Sequence, residues 1–346
     1  MAHRGDRVDP EPVRVILALE TSCDDTCAAV VTDGGEIRSN VISSQGVHDR
    51  YGGVVPEIAS RHHLDLIGDV VDDALAQANT TLDRLDMVAV TRGPGLVGAL
   101  LVGVATAKAL AAAHELPLGP VDHLHGHVAA AFLGPTPFEP PFLSLVASGG
   151  HTLLARVTDH GPGYEVIGQT LDDAAGEAFD KGARLLGLGY PGGPALERLA
   201  RDGDPDAYQF PAGKKLPGLD FSFAGLKTAL LYRIRDLGEE QADQRRADLA
   251  ASYQRAIVES LAIRVERALL GTGLERLSVG GGVAANGPVR ERMASLGVDL
   301  HVPPRELCTD NAAMIASAAR FGGALPYPDY LDIDVYATGE LALTAR

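Results

Sequence analysis

Residues 13–32 read VRVILALETSCDDTCAAVVT, and residues 142–157 read FLSLVASGGHTLLARV. Each is an apolar, β-branched run, a short turn of small and polar residues, and a second apolar run. That is the pattern of a strand, a tight turn and a returning strand. In the first copy strands are expected over 13–20 and 27–32, joined by TSCDDT; in the second, SGGH joins FLSLVA to TLLARV. Helical spacing follows each copy, with Ile58, Ile67, Val70, Val71 and Leu75 in 56–78, and Leu249, Tyr253, Ile257, Leu261 and Val265 in 242–270. A repeated hairpin with helices predicts a duplicated α/β fold, two lobes facing across a cleft with the two turns opposed. LGPTPFEPP interrupts regular structure at Phe132 to Pro141, which divides the chain into lobes at 13–135 and 140–325 with tails at 1–12 and 326–346.

Hydrophobic residues make up 46% of the 346 and charged residues 22%, the composition of a soluble globular protein. Aromatics are scarce and Trp is absent, so the core is expected to be Ala, Val, Leu and Ile. Cys23, Cys27 and Cys308 are too few and too scattered for a disulfide framework and point to a reducing compartment, the cytoplasm. The opening MAHRGDRVDPEP lacks the apolar stretch of a signal peptide. LVGALLVGVATAKALAAA at 96–113 is long enough to suggest a membrane span, but Lys108 lies inside it and its apolar residues are mainly Ala and Gly. A buried, closely packed helix is expected there, with no membrane association. A net charge of −16 argues against a nucleic-acid surface on this chain alone. Local positive charge at Lys214, Lys215, Lys227, Arg233, Arg235, Arg245 and Arg246 reads as solvated surface. The stretch GDPDAYQFPAGKKLPGL at 203–219 reads as an irregular surface excursion.

A turn that gathers Ser, Thr and Gly aims backbone N–H groups and hydroxyls into one concavity, which binds phosphate oxygens. Thr21, Ser22 and Thr26 offer hydroxyls in the first turn, and Ser148, Gly149 and Gly150 a close backbone in the second. Either turn alone is ordinary turn composition; the signal is their equivalent placement in a duplicated unit. GGGVAAN at 280–286 follows an expected strand and precedes an expected helix with Pro288 in its first turn. Its spacing departs from the GxGxxG of dinucleotide folds. Bare backbone there still admits a flat base, with Asn286 either reading an adenine edge or capping the helix. In LDDAAGEAFDKGARLLGLGYPGGP, residues 171–194, Asp172, Asp173, Glu177 and Asp180 lie on or near one helix. Acids at a helix start complement its dipole, but Asp180 lies further in. Asp180, and Glu197 one turn past Gly193, are candidate acceptors for ribose hydroxyls.

VDHLHGH at 121–127 carries a histidine pair. On a helix His123 and His127 share a face and His125 points away; on a strand all three share one. VDH reads as a strand end and GHVAAAFL as a helix, which favours the pair. Asp310, in CTDN at 308–311, would complete two imidazoles and a carboxylate with open positions, a set that suits Fe(II), with Zn(II) the alternative. A lone HxxxH is more often structural than metal-binding.

In order along the chain, ETSCDDT, YGGVVPEIASRHH, GPGLVGALLVG, HxxxH, SGGHT, DDAAGEAFDK, YPGGP, FSFAGLKTA, GGGVAAN and CTDNAAMIA resemble the catalytic subunit of the tRNA N6-threonylcarbamoyladenosine synthase family, once described as O-sialoglycoprotein endopeptidases. The resemblance runs from Ile16 to Phe321. It implies the actin-like ATPase, sugar-kinase and Hsp70 (ASKHA) fold. It implies one Fe(2+) per chain, alternatively Zn(2+), held by His123, His127 and Asp310. Substrate contacts are implied for the backbone of Val146, Ala147, Ser148, Gly149 and Gly150, and for Asp180, Gly193, Glu197 and Asn286. The implied reaction moves the threonylcarbamoyl group from L-threonylcarbamoyl-AMP to N6 of adenosine 37 in tRNAs reading codons that begin with A, with loss of AMP. Implied partners are a paralogous subunit of the same fold (TsaB), docked through first-lobe helices that include residues 55–78, and a small ATPase (TsaE). His125 departs from the Glu of many bacterial members. Asp24 or Asp25 is a candidate to orient or deprotonate the attacking amine.

Three other classes compete. A zincin protease needs Glu beside its first His, where Leu124 stands, and the inverted HxxEH pattern meets Gly126. An ASKHA kinase or ATPase shares the fold, but its Mg²⁺ prefers oxygen ligands to imidazole. A non-catalytic paralogue would lack the His pair and Asp310.

Overall fold

The computed structural model describes residues 13–337, except Lys215 and the side chain of Asp49. The expected tail 1–12, residues 338–346 of the other tail, and Lys215 lie outside the described residues.

The first half begins with β1 (Val15–Glu20), which pairs antiparallel with β2 (Asp25–Thr32), and β2 pairs in turn with β3 (Ile37–Ser44). After α1 (Pro56–Gln77), β4 (Met87–Gly93) returns parallel to β1; after α2 (Val97–Ala113), β5 (Leu118–Asp122) lies parallel to β4 and runs straight into α3 (His123–Ala129). The second half repeats the plan with β6 (Phe142–Ala147), β7 (Thr152–Val157) and β8 (Glu165–Gln169). Five helices follow: α4 (Ala175–Leu185), α5 (Gly192–Ala200), α6 (Ala224–Leu237), α7 (Glu239–Gln244) and α8 (Arg246–Thr272). Then come β9 (Arg276–Gly280), α9 (Gly287–Ala294), β10 (Asp299–His301), α10 (Arg305–Cys308) and α11 (Ala312–Ala319). The sheet orders are β3-β2-β1-β4-β5 and β10-β9-β6-β7-β8. Read from β8, the second sheet has the same order as the first, so the duplication seen in the hairpins extends to whole sheets.

The central strands are apolar without alternation because both faces are covered. Leu17, Leu19 and Val30 join a core with residues of α1 and α2, while Ile16, Ala18, Ala29 and Val31 pack with those of α11. In the second lobe Leu143 and Leu145 meet Leu249, Tyr253, Ile257, Leu261 and Val265 of α8, all wholly buried as their spacing predicted. The excursion at 203–219 is irregular, as expected.

Three expectations are corrected. The cut at 132–141 assigns α11 to the second lobe, but α11 packs against β1, β2 and α3, and Ser317 Oγ donates to the Ala129 carbonyl at 2.7 Å. Its eight residues are all buried, so no face of its sequence indicated a partner. The expected tail from 326 is, as far as 337, part of the first lobe, where Tyr330 is wholly buried. Helix α2 is not buried on all sides: Ala99, Leu100, Val104, Ala107 and Ala111 are covered, but Val97 and Leu101 are 45% and 47% exposed. No helix among the described residues is long and apolar enough to cross a membrane.

Candidate active site

The switch from β5 to α3 sets the histidines. Asp122 caps the helix, its Oδ1 accepting from the Leu124 and His125 amides at 2.8 and 3.0 Å. His123 is thus the first helical residue and His127 stands one turn on, with ring centroids 4.7 Å apart. Asp310 follows β10 and α10, the corresponding place in the second half. Its Oδ1 lies 3.5 Å from His123 Nε2 and 3.3 Å from His127 Nε2. One ligand atom from each of the three residues falls within 4.8 Å of the others. His125 turns away and stacks on Tyr164 at 5.9 Å, as the helical reading predicted.

Glu20, unremarked in the sequence, organises this group. It is wholly buried at the end of β1 and accepts from the Ser22 amide at 2.5 Å, Thr91 Oγ1 at 2.6 Å and His123 Nδ1 at 3.0 Å. A carboxylate only accepts, so His123 carries its proton on Nδ1 and turns Nε2 toward Asp310. Burial would lower the His123 pKa, but the charges of Asp310 and Glu20 outweigh it and raise it to about 9. Burial would raise the Asp310 pKa, but His123 and His127 hold it well below the usual carboxylate range. Asp25 is pushed up to about 7 by burial and by the charges of Asp310, Asp24 and Glu20, against a bond with Ser44. His127 is buried, and neither of its ring nitrogens has hydrogen-bond geometry to any described residue. An imidazole nitrogen aimed at a carboxylate without a hydrogen bond, amid surplus negative charge, fits a shared divalent cation.

One cavity reaches the triad and a second adjoins the first. The first, of about 520 Å³, is walled by Ser22, Asp24, His123, Ser148, Gly149, Gly150, Asp180 and Asp310. The other, of about 280 Å³, is walled by Gly149, Asp180, Gly193, Glu197, Gly282 and Asn286. Gly149 and Asp180 belong to both. The glycine turn comes close to α4 because Gly176 has no side chain; a Cβ there would stand 2.6 Å from the Ser148 carbonyl oxygen and 2.8 Å from the Gly149 nitrogen. Asp180 Oδ1 accepts from the Gly192 amide at 2.8 Å, and burial raises its pKa despite the N–H groups of Gly192 and Gly193.

Several sequence expectations land elsewhere. Val146 and Ala147 are wholly buried in β6 and line neither cavity. Thr21 Oγ1 donates to the Ala99 carbonyl at 2.9 Å and Thr26 Oγ1 pairs with His63 Nδ1 at 2.8 Å, so of the three residues only Ser22 lines the cleft, its hydroxyl 3.2 Å from His123 Nδ1. Asn286 does cap α9, accepting from the Val289 amide at 3.2 Å. Its Nδ2 donates to Glu197 Oε2 and Gln254 Oε1, both at 3.1 Å, so it holds Glu197 rather than pointing free into the cavity. Asp172 precedes α4 and instead accepts from the Phe223 and Ala224 amides at the start of α6. Besides Glu20, sequence reasoning missed His151, whose buried Nε2 has no partner among the described residues and whose ring lies 6.4 Å from that of His123.

A sequence model of the TsaD family, tRNA N6-adenosine threonylcarbamoyltransferase, matches residues 36–317. The chain belongs to this family. It is 53% identical to the tRNA N6-adenosine threonylcarbamoyltransferase of Symbiobacterium thermophilum, covering 89% of this chain and 91% of that one. It is 55% identical to the protein of the same name from Anaeromyxobacter dehalogenans, covering 88% and 92%. Among solved structures it is similar in fold to HypF of T. kodakarensis, with a TM-score of 0.60 at 14% identity over 89% of this chain and 47% of that one. This family membership makes the chain a transferase that acts on tRNA. The protease alternative has no support in the site: at the two motif positions where such a protease carries its Glu, Leu124 is buried in the core and a Cβ on Gly126 would stand 2.7 Å from Ile315 Cδ1.

Proposed function

We propose that this chain transfers the threonylcarbamoyl group of L-threonylcarbamoyl-AMP to N6 of adenosine 37, in tRNAs reading codons that begin with A. The observation that carries this reading is the pair of cavities sharing Gly149 and Asp180, one walled by His123 and Asp310 of the His–His–Asp triad and the other by Glu197 and Asn286. The donor is a mixed anhydride with two unlike ends. Its adenylate occupies the smaller cavity, where Asp180 and Glu197 accept from ribose hydroxyls and Asn286 keeps Glu197 in place. Its acyl end runs past Ser148, Gly149 and Gly150 toward the triad. His123, His127 and Asp310 hold one cation, Fe(II) or alternatively Zn(II), which when bound supplies Lewis-acid polarisation.

The remaining work falls to the chain itself. Gly149 and Gly150 line the larger cavity with open space where side chains would stand, and in this reading their amides donate to oxygens that gain charge as the phosphate departs. The N6 nitrogen bonds to the carbonyl carbon, the bond from that carbon to the phosphate oxygen breaks, and AMP leaves with the electron pair. The amine must also lose a proton. Asp24 lines the cleft while Asp25 is turned to Ser44, so Asp24 is the acceptor in this reading. Water has to be kept from the donor, because it would destroy the anhydride.

Helices α1 and α2 present exposed apolar side chains, Leu64 at 69% with Val97 and Leu101. They support docking of a paralogous subunit of the same fold (TsaB), acting with a small ATPase (TsaE). A net charge of −16 leaves part of the tRNA surface to such partners.

Asp180→Ala tests the placement of the adenylate. A lost hydrogen bond to a buried carboxylate costs about 1.5–3 kcal/mol, roughly one to two decades in affinity. Titration calorimetry with AMP should show that loss, and an unchanged affinity would remove the adenylate from this cavity.

A further inference from the structure

The stretch from Leu325 to the last described residue runs as a strap over the first lobe, beyond residue 317, where the family match ends. Its anchorage is extensive. Leu325 and Leu118 exchange backbone hydrogen bonds of 2.9 Å each, and Tyr330 is wholly buried in the core. Lys108 Nζ donates to the carbonyls of Leu331 and Ile333 at 2.8 and 2.6 Å. The strap then crosses the end of β4. The Tyr336 amide donates to the Arg92 carbonyl at 3.1 Å, and the Arg92 guanidinium lies 5.3 Å from the Tyr336 ring centroid. Only a glycine fits beneath it: a Cβ on Gly93 would stand 2.5 Å from the Tyr336 carbonyl oxygen and 2.8 Å from its ring. Gly93 has φ +152, which disfavours any side chain there.

The last described residues of the strap reach the start of α3. Tyr336 Oη donates to Asp122 Oδ2 at 2.5 Å. The other oxygen of that carboxylate holds the Leu124 and His125 amides, the first turn of α3. A carboxylate held on both oxygens has one position and one rotamer, so it fixes where α3 begins. His123 is the first residue after Asp122, and its ring is fixed from the far side by Glu20.

We propose that Tyr336 is a positioning residue for the cation centre, acting through Asp122 to set the start of α3 and so the direction of His123. The proposal rests on the reading of His123, His127 and Asp310 as a cation site. Groups that orient a metal ligand from outside change affinity by about 10- to 100-fold when lost. A contact that merely holds the chain end in place changes stability and leaves affinity alone.

The test uses the full chain with Co(II) as probe, reading affinity by competition with a chelating dye and geometry by the visible spectrum. Tyr336→Phe should weaken Co(II) binding by about tenfold or more and shift the visible bands, with the melting temperature close to wild type. Gly93→Ala, which displaces the strap but keeps the hydroxyl, should do the same. Tyr330→Phe is the control, because its buried hydroxyl has no partner among the described residues; it should leave affinity and spectrum unchanged. Wild-type affinity and spectrum in Tyr336→Phe would overturn the proposal. So would a loss shared equally by Tyr330→Phe and tracking the melting temperature. If the wild type takes up no Co(II), the cation site itself fails and the proposal falls with it, a result distinct from the other two.

Discussion

His127→Ala yields a folded protein that loses nearly all of its cation and nearly all of its threonylcarbamoyladenosine formation. Its imidazole makes no hydrogen bond with a described residue, so its loss removes packing and a ligand atom but strands no partner. The remaining pair, His123 and Asp310, lies 3.5 Å apart and closes as an imidazolium–carboxylate ion pair instead of holding a metal. Elemental analysis should give about one metal per wild-type chain and a small fraction of that in the variant, with transfer lower by roughly two decades or more, beyond the loss caused by outer groups. His125→Ala, by contrast, should keep its metal, since that ring stacks on Tyr164 away from the triad. In the wild type the cation must displace the second, Nε2 proton of the His123 imidazolium, held to about pH 9. Affinity should therefore rise with pH, by about tenfold per unit, and level off above that value.

Glu20→Gln is expected to be nearly as damaging, although it touches no substrate. Three donors converge on Glu20: the Ser22 amide, the Thr91 hydroxyl and His123 Nδ1. An amide offers one acceptor oxygen and turns an NH₂ toward at least one of those donors. The variant should lose about 1–3 kcal/mol of stability from the unsatisfied buried donor, measured by denaturant unfolding. Metal affinity should fall by about 10- to 100-fold, measured by chelator competition. An unaltered metal affinity would mean that Glu20 does not orient His123.

The duplication was legible because hairpins with both faces buried write themselves as continuous apolar runs, and the histidine pair was legible because helical spacing puts His123 and His127 on one face. What escaped was set by tertiary contact. Glu20 closes an apolar strand whose six residues are all buried, and a carboxylate in that position was itself a sign of a committed partner, but the partners are 71 and 103 residues away. The hydroxyls of Thr21 and Thr26 looked like a phosphate cradle because turn composition does not say which way a side chain points; the arrival of α2 and His63 turns them inward. Asn286 reads in sequence as a cap or a base contact; the helix start shows the cap, and the contact with Glu197 belongs to a residue 89 positions away. Helix α11 has no polar face, so its return to the first lobe left no trace in its periodicity. The strap from Leu325 reads as a loose end in sequence and is fixed by single residues, Lys108, Tyr330 and Tyr336, from different elements.

The His–His–Asp triad and the paired cavities are expected to perform threonylcarbamoyl transfer together. The most direct measurement is mass spectrometry of nucleosides from unmodified tRNA incubated with the metal-loaded chain, its partner proteins and L-threonylcarbamoyl-AMP. A glycoprotein is assayed in parallel, and His123→Ala serves as the matched variant. The predicted result is one threonylcarbamoyl group on N6 of adenosine 37 per AMP released, none with His123→Ala, and an intact glycoprotein throughout. Unmodified tRNA together with glycoprotein cleavage that disappears in His123→Ala would contradict the account and make the triad the centre of a protease.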